Sequence, residues 1–185
     1  TGHGVPAGLV MMMVNALIDT FTEIYQTAYD VVAQTNRMLK PRIQSTMFMT
    51  MVMMRWHEVQ KKLFYVGCGH EHIITFRKAT GACDVRQSGG IALGMIADNS
   101  AIIKEEVLPF DVGDFLILYS DGIAEARNPR GEMFGLERLK QLILRFGPTS
   151  KNAEDLFTNV MTEFGKFVED QVQNDDITLM IVRRT

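Results

Sequence analysis

The chain has 185 residues, of which 46% are hydrophobic and 22% charged, and this composition predicts one globular domain with a buried core. A net charge of -3 offers no basic field to nucleic acid or to an anionic membrane, so we expect proteins or small molecules as partners. Two cysteines, Cys68 and Cys83, are too few for a disulfide framework, which predicts a cytoplasmic protein. We expect no membrane span, because the apolar run at 9–18 contains Asn15 and is too short.

Hydrophobic periodicity predicts two helices in the first part of the chain, a largely buried one at 9–21 and a second at 28–39. The apolar run MFMTMVMMRW, which begins at Met47, predicts a strand that is buried on both faces. Its methionines are interpreted as adaptable core, and those near the first helix as an alternative partner surface. KLFYVGCG and HIITFR predict strands joined by a glycine-bearing turn, and ATGA predicts another hairpin.

The second half of the chain shows the same kinds of pattern. Strands are predicted at 101–107 and 114–120, followed by helices at 136–146 and 156–168, the second despite Gly165 in its interior. ITLMIV, at 177–182, predicts a buried final strand. Because the strands are grouped and do not alternate with helices, we expect an α+β fold with a mostly antiparallel sheet.

Acidic residues flank two of the predicted strands. Asp121 follows the strand in FLILYSDGIAEARN, and Asp175 and Asp176 precede the last strand. If these strands are antiparallel neighbours, their carboxylates share one edge of the sheet, where a bound cation would relieve the repulsion between them. Oxygen ligands favour Mg²⁺ or Mn²⁺ over zinc. The alternatives are that Asp121 is an ordinary turn residue before glycine and that EDQVQNDD is a solvated acidic loop.

The opening TGHGVPAG places Gly2, His3 and Gly4 before a helix that has Pro6 near its first turn. This pattern predicts a sharp turn at which the backbone approaches a ligand, although His3 can also be an ordinary loop histidine.

Two further patterns have alternative interpretations. Cys68, His70 and His72 alternate as the ligands of a zinc site could, but the adjacent glycines favour a turn. GGIALGM is glycine-rich, yet it lacks the Lys-Ser/Thr of a phosphate-binding P-loop and is interpreted as a loop with positional glycines.

The order of TGHGVPAG, MFMTMVMM, LFYVGCGHEHIITFR, GGIALGM, FLILYSDGIAEARN and NDDITLMIV resembles the SpoIIE and RsbU branch of the PP2C-like (PPM) metal-dependent serine/threonine phosphatases. The resemblance extends over essentially all of residues 1–185 and implies a single phosphatase domain. It implies an α-β-β-α sandwich of two antiparallel sheets flanked by helices, with two Mn²⁺ or Mg²⁺ ions at one end.

The resemblance also implies roles for individual residues. Asp121 and Asp175 match metal-binding aspartates, and His3 is a proton donor to the leaving alkoxide. Residues that match the lining of the site are Gly2, Gly4, Gly122 and Asp176. The family motif has an aspartate two positions before the residue that matches Thr1, so we expect this sequence to be N-terminally truncated, to lack the first strands and to be inactive as a fragment.

The function implied by the resemblance is that of an output domain in a bacterial signalling protein. Its substrate would be a phosphorylated protein, expected to be a STAS-domain anti-anti-sigma factor, and the parent chain would carry an N-terminal sensor or receiver domain. A homodimer is also considered. The alternative is a catalytically inactive PP2C-like module that binds a signalling protein as a regulator or scaffold.

Overall fold

The computed structural model describes residues 4–171 and 175–185. Within them the helices are α1 (Val5–Thr22), α2 (Ala28–Leu39), a 3₁₀ turn (Lys40–Arg42), α3 (Asp121–Ala124), α4 (Gly135–Phe146) and α5 (Ala153–Val168). The strands are β1 (Met51–His57), β2 (Lys62–Cys68), β3 (Ile73–Phe76), β4 (Cys83–Arg86), β5 (Glu106–Leu108), β6 (Phe115–Tyr119) and β7 (Leu179–Arg183). The chain divides into two compact units, one formed by the residues up to His70 with Ser88–Pro109, the other by Glu71–Gln87 with Phe110–Thr185.

The first unit contains α1, α2 and a three-stranded antiparallel sheet in the order β1-β2-β5. Thr27 caps the start of helix α2, since its side chain accepts a hydrogen bond from the Asp30 backbone N–H, and the helix packs against α1, β1 and β2. Its apolar face is buried with residues of α1 and β2 in one cluster that includes Val14, Val32 and Val66. Burial of these aliphatic side chains stabilises the unit through the hydrophobic effect.

Glycines at the end of β2 allow a close approach to the segment 88–90. A Cβ at Gly67 would lie 1.8 Å from the Ser88 carbonyl oxygen, and one at Gly90 would lie 1.9 Å from the Gly67 carbonyl oxygen. The Gly69 N–H donates to the Gly89 carbonyl oxygen at 2.9 Å. The prediction that a glycine turn joins β2 and β3 as a hairpin is therefore wrong, because these glycines serve a backbone contact and the two strands belong to different sheets.

The second unit contains α3, α4, α5 and a four-stranded antiparallel sheet in the order β4-β3-β6-β7. Helix α5 packs against β7 and α4, and α4 packs against β3 and β4. The core between the helices and the sheet is rich in aromatic and branched aliphatic residues, including Phe115, Ile117, Phe134, Leu139 and Phe164. Strands β3 and β6 are central in this sheet and almost completely buried, and burial on both faces explains the unbroken apolar sequence of β6.

Most predicted elements are confirmed. Helices α2, α4 and α5 occur where periodicity predicted them, and α5 continues through Gly165. The ATGA hairpin is confirmed, since it joins β3 to β4 with the Arg77 N–H donating to the Ala82 carbonyl oxygen at 2.8 Å. GGIALGM is a loop, as predicted.

Three strand predictions are wrong in part. The last strand, β7, was predicted to be buried, but its residues alternate between half-buried and exposed, and Met180 is 55% exposed. The run that begins at Met47 forms a regular strand only over β1, which pairs with β2 on one side and is half-buried. The prediction of burial on both faces took long methionine side chains as core, but several of them lie at the margin of the cluster. In the region 101–107 the strand is confined to β5, because Ile102 and Ile103 instead close a turn with N–H groups that donate to the Asn99 carbonyl oxygen.

Helix α1 is longer than predicted, since it begins at Val5, before the apolar run. The prediction that it is largely buried is wrong, because Val10 and Val14 are the buried residues of this helix and several of its apolar side chains are exposed. The helix has 18 residues and a mean hydropathy of 1.5, so by length and composition it could cross a membrane. Of these residues, 11% are buried. The prediction that the run is too short for a span is therefore wrong. A core helix or a signal sequence can satisfy the same criterion, so this helix alone assigns no location.

Candidate active site

The pairing of β6 with β7 brings the acidic segments together. The two strands are antiparallel, with Phe115 opposite Arg183 and Tyr119 opposite Leu179. The chain therefore leaves β6 at the same edge of the sheet at which it enters β7. Asp121 lies just beyond β6, and Asp175 lies shortly before β7, so the predicted juxtaposition of these two segments is confirmed at the level of the backbone.

Ser120 connects the two segments through its backbone and its side chain. Its N–H donates to the Thr178 carbonyl oxygen at 3.0 Å, and its hydroxyl donates to the Asp176 carbonyl oxygen at 3.0 Å. The same hydroxyl accepts from the Thr178 N–H at 2.9 Å. These hydrogen bonds extend the β6–β7 pairing past the last regular pair of the ladder. The sequence analysis did not identify Ser120, although a hydroxyl at a strand end is a common partner for backbone groups.

Gly122 allows the closest contact between the two segments. A Cβ at this position would lie 2.4 Å from the Asp176 carbonyl oxygen and 3.5 Å from the Asp175 carbonyl oxygen. Real Cβ atoms do not approach a backbone oxygen to 2.4 Å, so a side chain at position 122 would displace the acidic segment. Gly122 thus lies directly against the acidic segment that precedes β7.

The carboxylates at this edge are exposed and locally oriented. Asp121 Oδ1 accepts from the Gly122 N–H at 3.0 Å, and Asp175 Oδ1 accepts from the Asp176 N–H at 2.8 Å. The side chains of Asp121, Asp175 and Asp176 face solvent. The second carboxylate oxygen of Asp121 can accept a further interaction. Among residues 4–171 and 175–185, no group of three or more His, Cys, Asp or Glu residues is arranged to hold a metal ion.

Two of the three site residues predicted at the start of the chain lie outside the part of the chain that the structure describes. Gly2 and His3 are not among the described residues, so their predicted roles remain predictions. Gly4 precedes α1 with φ of 80°, a left-handed backbone conformation that favours glycine. A sharp turn at this glycine agrees with the pattern in TGHGVPAG.

We call the sheet edge that carries Asp121, Asp175 and Asp176 the acidic edge. A cavity of about 380 Å³ lies beside it in the second unit. Asp175 and Gly122 lie at its boundary, together with the charged side chains of Glu125 and Arg127. The remaining lining residues are Ala126, Asn128, Pro129, Gly131, Val168, Gln171 and Ile177. The cavity was not predicted from the sequence, because it is formed by two segments that are distant from each other in the chain.

One wall of this cavity is a loop organised by Asn128, which is 6% exposed. Its side-chain oxygen accepts from the Arg130 and Glu132 N–H groups at 3.0 Å each, and its amide donates to a Glu132 carboxylate oxygen at 2.9 Å. The hydrogen bond from Asn128 and the charge of Arg130 lower the pKa of Glu132. The sequence signal for this loop was the Asn-Pro-x-Gly pattern of NPRG, which is typical of a turn.

Two other titratable groups in the chain are unsuited to catalysis or metal binding. Burial raises the pKa of Tyr119 to about 12, so this phenol at the end of β6 stays neutral near pH 7. Burial also raises the pKa of Cys68 to about 12, which disfavours the thiolate that a zinc site requires. Cys68, His70 and His72 form no metal cluster, and the zinc interpretation is therefore wrong.

Comparison with known proteins places these observations in a family. The sequence profile of the family described as Stage II sporulation protein E (SpoIIE) matches residues 1–185. The chain is 28% identical over 185 residues to the phosphoserine phosphatase RsbU of Bacillus subtilis. This match covers 99% of the chain but 53% of RsbU, so the chain spans about half the length of that relative.

Solved structures show the same fold at low sequence identity. The SiaA-PP2C domain of Pseudomonas aeruginosa superposes with a TM-score of 0.81 at 18% identity, covering 100% of the chain and 72% of that structure. The RsbU and RsbW domains of a Mycobacterium tuberculosis protein superpose with a TM-score of 0.77 at 19% identity, covering 100% of the chain and 49% of that structure. The predicted fold class, PP2C-like with helices and two antiparallel sheets, is confirmed.

Proposed function

Because the chain belongs to the Stage II sporulation protein E (SpoIIE) family, we propose that it is a metal-dependent protein serine/threonine phosphatase domain. The observation that carries this proposal is the pairing of β6 with β7, which brings the segments of Asp121 and Asp175 to one edge of a sheet. The relative named as a phosphoserine phosphatase supports the choice of substrate class, a phosphoserine or phosphothreonine ester on a protein.

The side chains at this edge fit Mg²⁺ or Mn²⁺ in their chemistry. The donors are carboxylate oxygens, which hard divalent cations prefer, and both aspartates are open to solvent. Mg²⁺ commonly retains several waters and uses one or two carboxylates, so Asp121 and Asp175 are sufficient for one hydrated ion. Two ions, as the family resemblance implies, would need ligands in addition to these two.

The proposed mechanism assigns separate tasks to the residues of this chain. Asp121 and Asp175 would hold the cation, while Gly122 and the Ser120 hydroxyl keep the two acidic segments in contact. Bound divalent ions would supply an activated water and neutralise charge on the phosphoryl oxygens. Asp176 lines the site, and His3, with Gly2 and Gly4 around it, would donate a proton to the leaving serine or threonine oxygen.

The biological setting is also part of the proposal. We place the chain in the cytoplasm as the output domain of a bacterial signalling protein, with an N-terminal sensor or receiver domain in the same protein. Its substrate would be a phosphorylated STAS-domain anti-anti-sigma factor. Support comes from the similarity to RsbU and from a related structure that contains RsbU and RsbW domains.

The test is hydrolysis of a phosphoserine peptide by the full-length protein with and without Mn²⁺. We expect activity that requires the metal, and we expect Asp121→Asn to lower kcat/KM by at least ~100-fold, because it removes an anionic ligand. Asp19→Asn, which changes an exposed aspartate on α1, is the matched control and should retain activity. Undiminished turnover in excess EDTA would exclude the mechanism, and partner binding without any turnover would favour the scaffold alternative.

A further inference from the structure

We propose that the cavity beside Asp175 is a subsite for the part of the phosphoprotein that flanks the phosphorylated residue, and that Arg127 gives it a preference for an acidic side chain. This inference rests on the proposed phosphatase function. It adds a determinant of substrate choice outside the acidic edge that would hold metal.

The cavity is lined by charged residues of both signs. Asp175 and Glu125 are acidic, and the Glu125 backbone adjoins the acidic edge, since its N–H donates to the Asp121 carbonyl oxygen at 2.8 Å. Arg127 lies two residues further along the loop, and its guanidinium donates to the Gly131 carbonyl oxygen at 2.6 Å. A substrate with its phosphate at the acidic edge would therefore extend a neighbouring residue toward a cation.

Arg127 keeps its charge available to a ligand. Within residues 4–171 and 175–185, the Arg127 guanidinium donates a hydrogen bond to the neutral Gly131 carbonyl, and no carboxylate forms an ion pair with Arg127. The neighbouring cation Arg130 differs, because it pairs with Glu132 at 3.3 Å. A guanidinium has five N–H donors in a fixed fork, so Arg127 retains donors that suit a carboxylate.

The wall that carries Arg127 is held in shape before any ligand binds. Arg127 forms an antiparallel bridge with Met133, and the Phe134 N–H donates to the Ala126 carbonyl oxygen at 2.8 Å. Asn128 fills the loop with its own hydrogen bonds, as described above. A preorganised side chain loses less entropy on binding and therefore contributes more to affinity.

The size and lining of the cavity suit part of a peptide. Its volume of about 380 Å³ lies within the ~300–1,000 Å³ range of ligand pockets and exceeds what one phosphate requires. Ala126, Pro129, Val168 and Ile177 supply apolar contacts around the charged groups. This combination resembles other ligand sites, in which a few polar groups on an apolar lining provide specificity.

The test uses the full-length protein with Mn²⁺ and phosphoserine peptides that differ only in a flanking residue, which is Glu, Gln or Lys. We expect the wild-type protein to prefer the Glu peptide over the Gln peptide by about tenfold in kcat/KM, as for one charge-assisted hydrogen bond. Arg127→Gln should abolish this preference, Arg127→Lys should retain part of it, and Arg127→Glu should shift it to the Lys peptide. Arg130→Gln, on the same loop but outside the cavity lining, should retain the wild-type preference.

Several results would overturn the inference. One is a preference for Glu that persists in Arg127→Gln, and another is a wild-type preference for Lys, which would show that Glu125 and Asp175 dominate the cavity. A third is a loss of kcat/KM in Arg127→Gln that is as large on p-nitrophenyl phosphate as on the Glu peptide. Because p-nitrophenyl phosphate has no flanking residue, Arg127 would then act on the phosphoryl group or on folding.

A binding assay separates failure of the subsite from failure of the proposed function. Fluorescence anisotropy with the same labelled phosphopeptides reports affinity whether or not hydrolysis occurs. If the wild-type protein hydrolyses nothing but binds the Glu peptide more tightly in an Arg127-dependent manner, the subsite stands and the phosphatase proposal fails. If hydrolysis occurs and neither affinity nor kcat/KM depends on Arg127, the phosphatase proposal stands and the subsite fails.

Discussion

Gly122 and Asp176 are in such close contact that a Cβ at position 122 would lie 2.4 Å from the Asp176 carbonyl oxygen. The contact joins the turn after β6 to the segment before β7, and each of these segments carries an acidic residue predicted to bind metal. The glycine is thus required by the distance between two backbones, since its own φ is not in the left-handed region.

We expect Gly122→Ala to weaken Mn²⁺ binding by at least ~10-fold, because moving the segment at Asp176 by about 1 Å disturbs the positions of the ligands. Isothermal titration with Mn²⁺ measures the effect. The matched control is Gly165→Ala in α5, where a Cβ would meet no atom within 4 Å. This control should stabilise the protein by ~0.5–1 kcal/mol through helix propensity and leave metal binding unchanged. Equal Mn²⁺ affinity in both variants would contradict the role given to Gly122.

A second prediction concerns Asp114, whose side chain is 3% exposed and lies 2.9 Å from the Arg77 guanidinium. It also accepts from the Lys78 and Asp111 N–H groups. We expect Asp114→Ala to lower the free energy of unfolding by ~3–5 kcal/mol, because Arg77 and two backbone donors lose a buried partner. Asp84→Ala removes the 60% exposed partner of the same Arg77 and should cost less than ~1 kcal/mol. Urea denaturation compares the two, and similar losses would show that burial does not decide the effect.

The third prediction concerns the thiols. Burial raises the pKa of Cys68 to about 12 and that of Cys83 to about 11, so both should react slowly with Ellman's reagent at pH 8 until urea unfolds the protein. The folded state holds these protons more tightly than the unfolded state, whose thiols have a pKa of ~8.5. Their contribution to the free energy of unfolding is therefore fully present below pH ~8.5 and decreases as the pH rises toward 11. Rapid reaction of two thiols in the native protein would contradict the burial.

A fourth prediction concerns self-association of the 185-residue chain. Helix α1 exposes Leu9 by 55% and Met12 by 65%, and β1 is an edge strand of its sheet among the described residues. Exposed apolar surface and free strand edges favour association, so light scattering should detect dimers or larger species. Leu9→Lys with Met12→Lys should shift the population toward monomer. Val59→Lys, which changes an isolated 89% exposed residue, should not.

The part of the fold that could be predicted from sequence is the part governed by local pattern. The helical faces of α2 and α4 repeat at 3.6 residues, and the ATGA turn specifies a hairpin between two strands that are consecutive in the chain. The connection from β2 to a strand of a different sheet could not be predicted in this way. Its glycines are explained by contact with the segment 88–90, and spacing along the chain contains no information about that contact.

In the candidate site, too, features set by local sequence pattern could be predicted, and features set by contacts between distant segments could not. The segments of Asp121 and Asp175 could be predicted to share one edge because each adjoins a strong strand pattern. Antiparallel pairing brings the end of one strand beside the start of the other. Ser120, Arg127 and the cavity were missed, because their significance depends on which segments meet in three dimensions. A hydroxyl or a guanidinium in a loop is common, and only its partners distinguish it.

Among the described residues, strand β7 lies at the edge of its sheet and pairs on one side with β6. A strand held on one side separates from its sheet more readily than a central strand, and here that separation would also carry Asp175 away from Asp121. Any cation shared by the two aspartates must therefore oppose fraying of the C-terminal strand, by a free energy of ~2.7 kcal/mol at a concentration 100 times its Kd. Protection of the β7 backbone amides from hydrogen exchange thus becomes a measure of metal occupancy that needs no substrate.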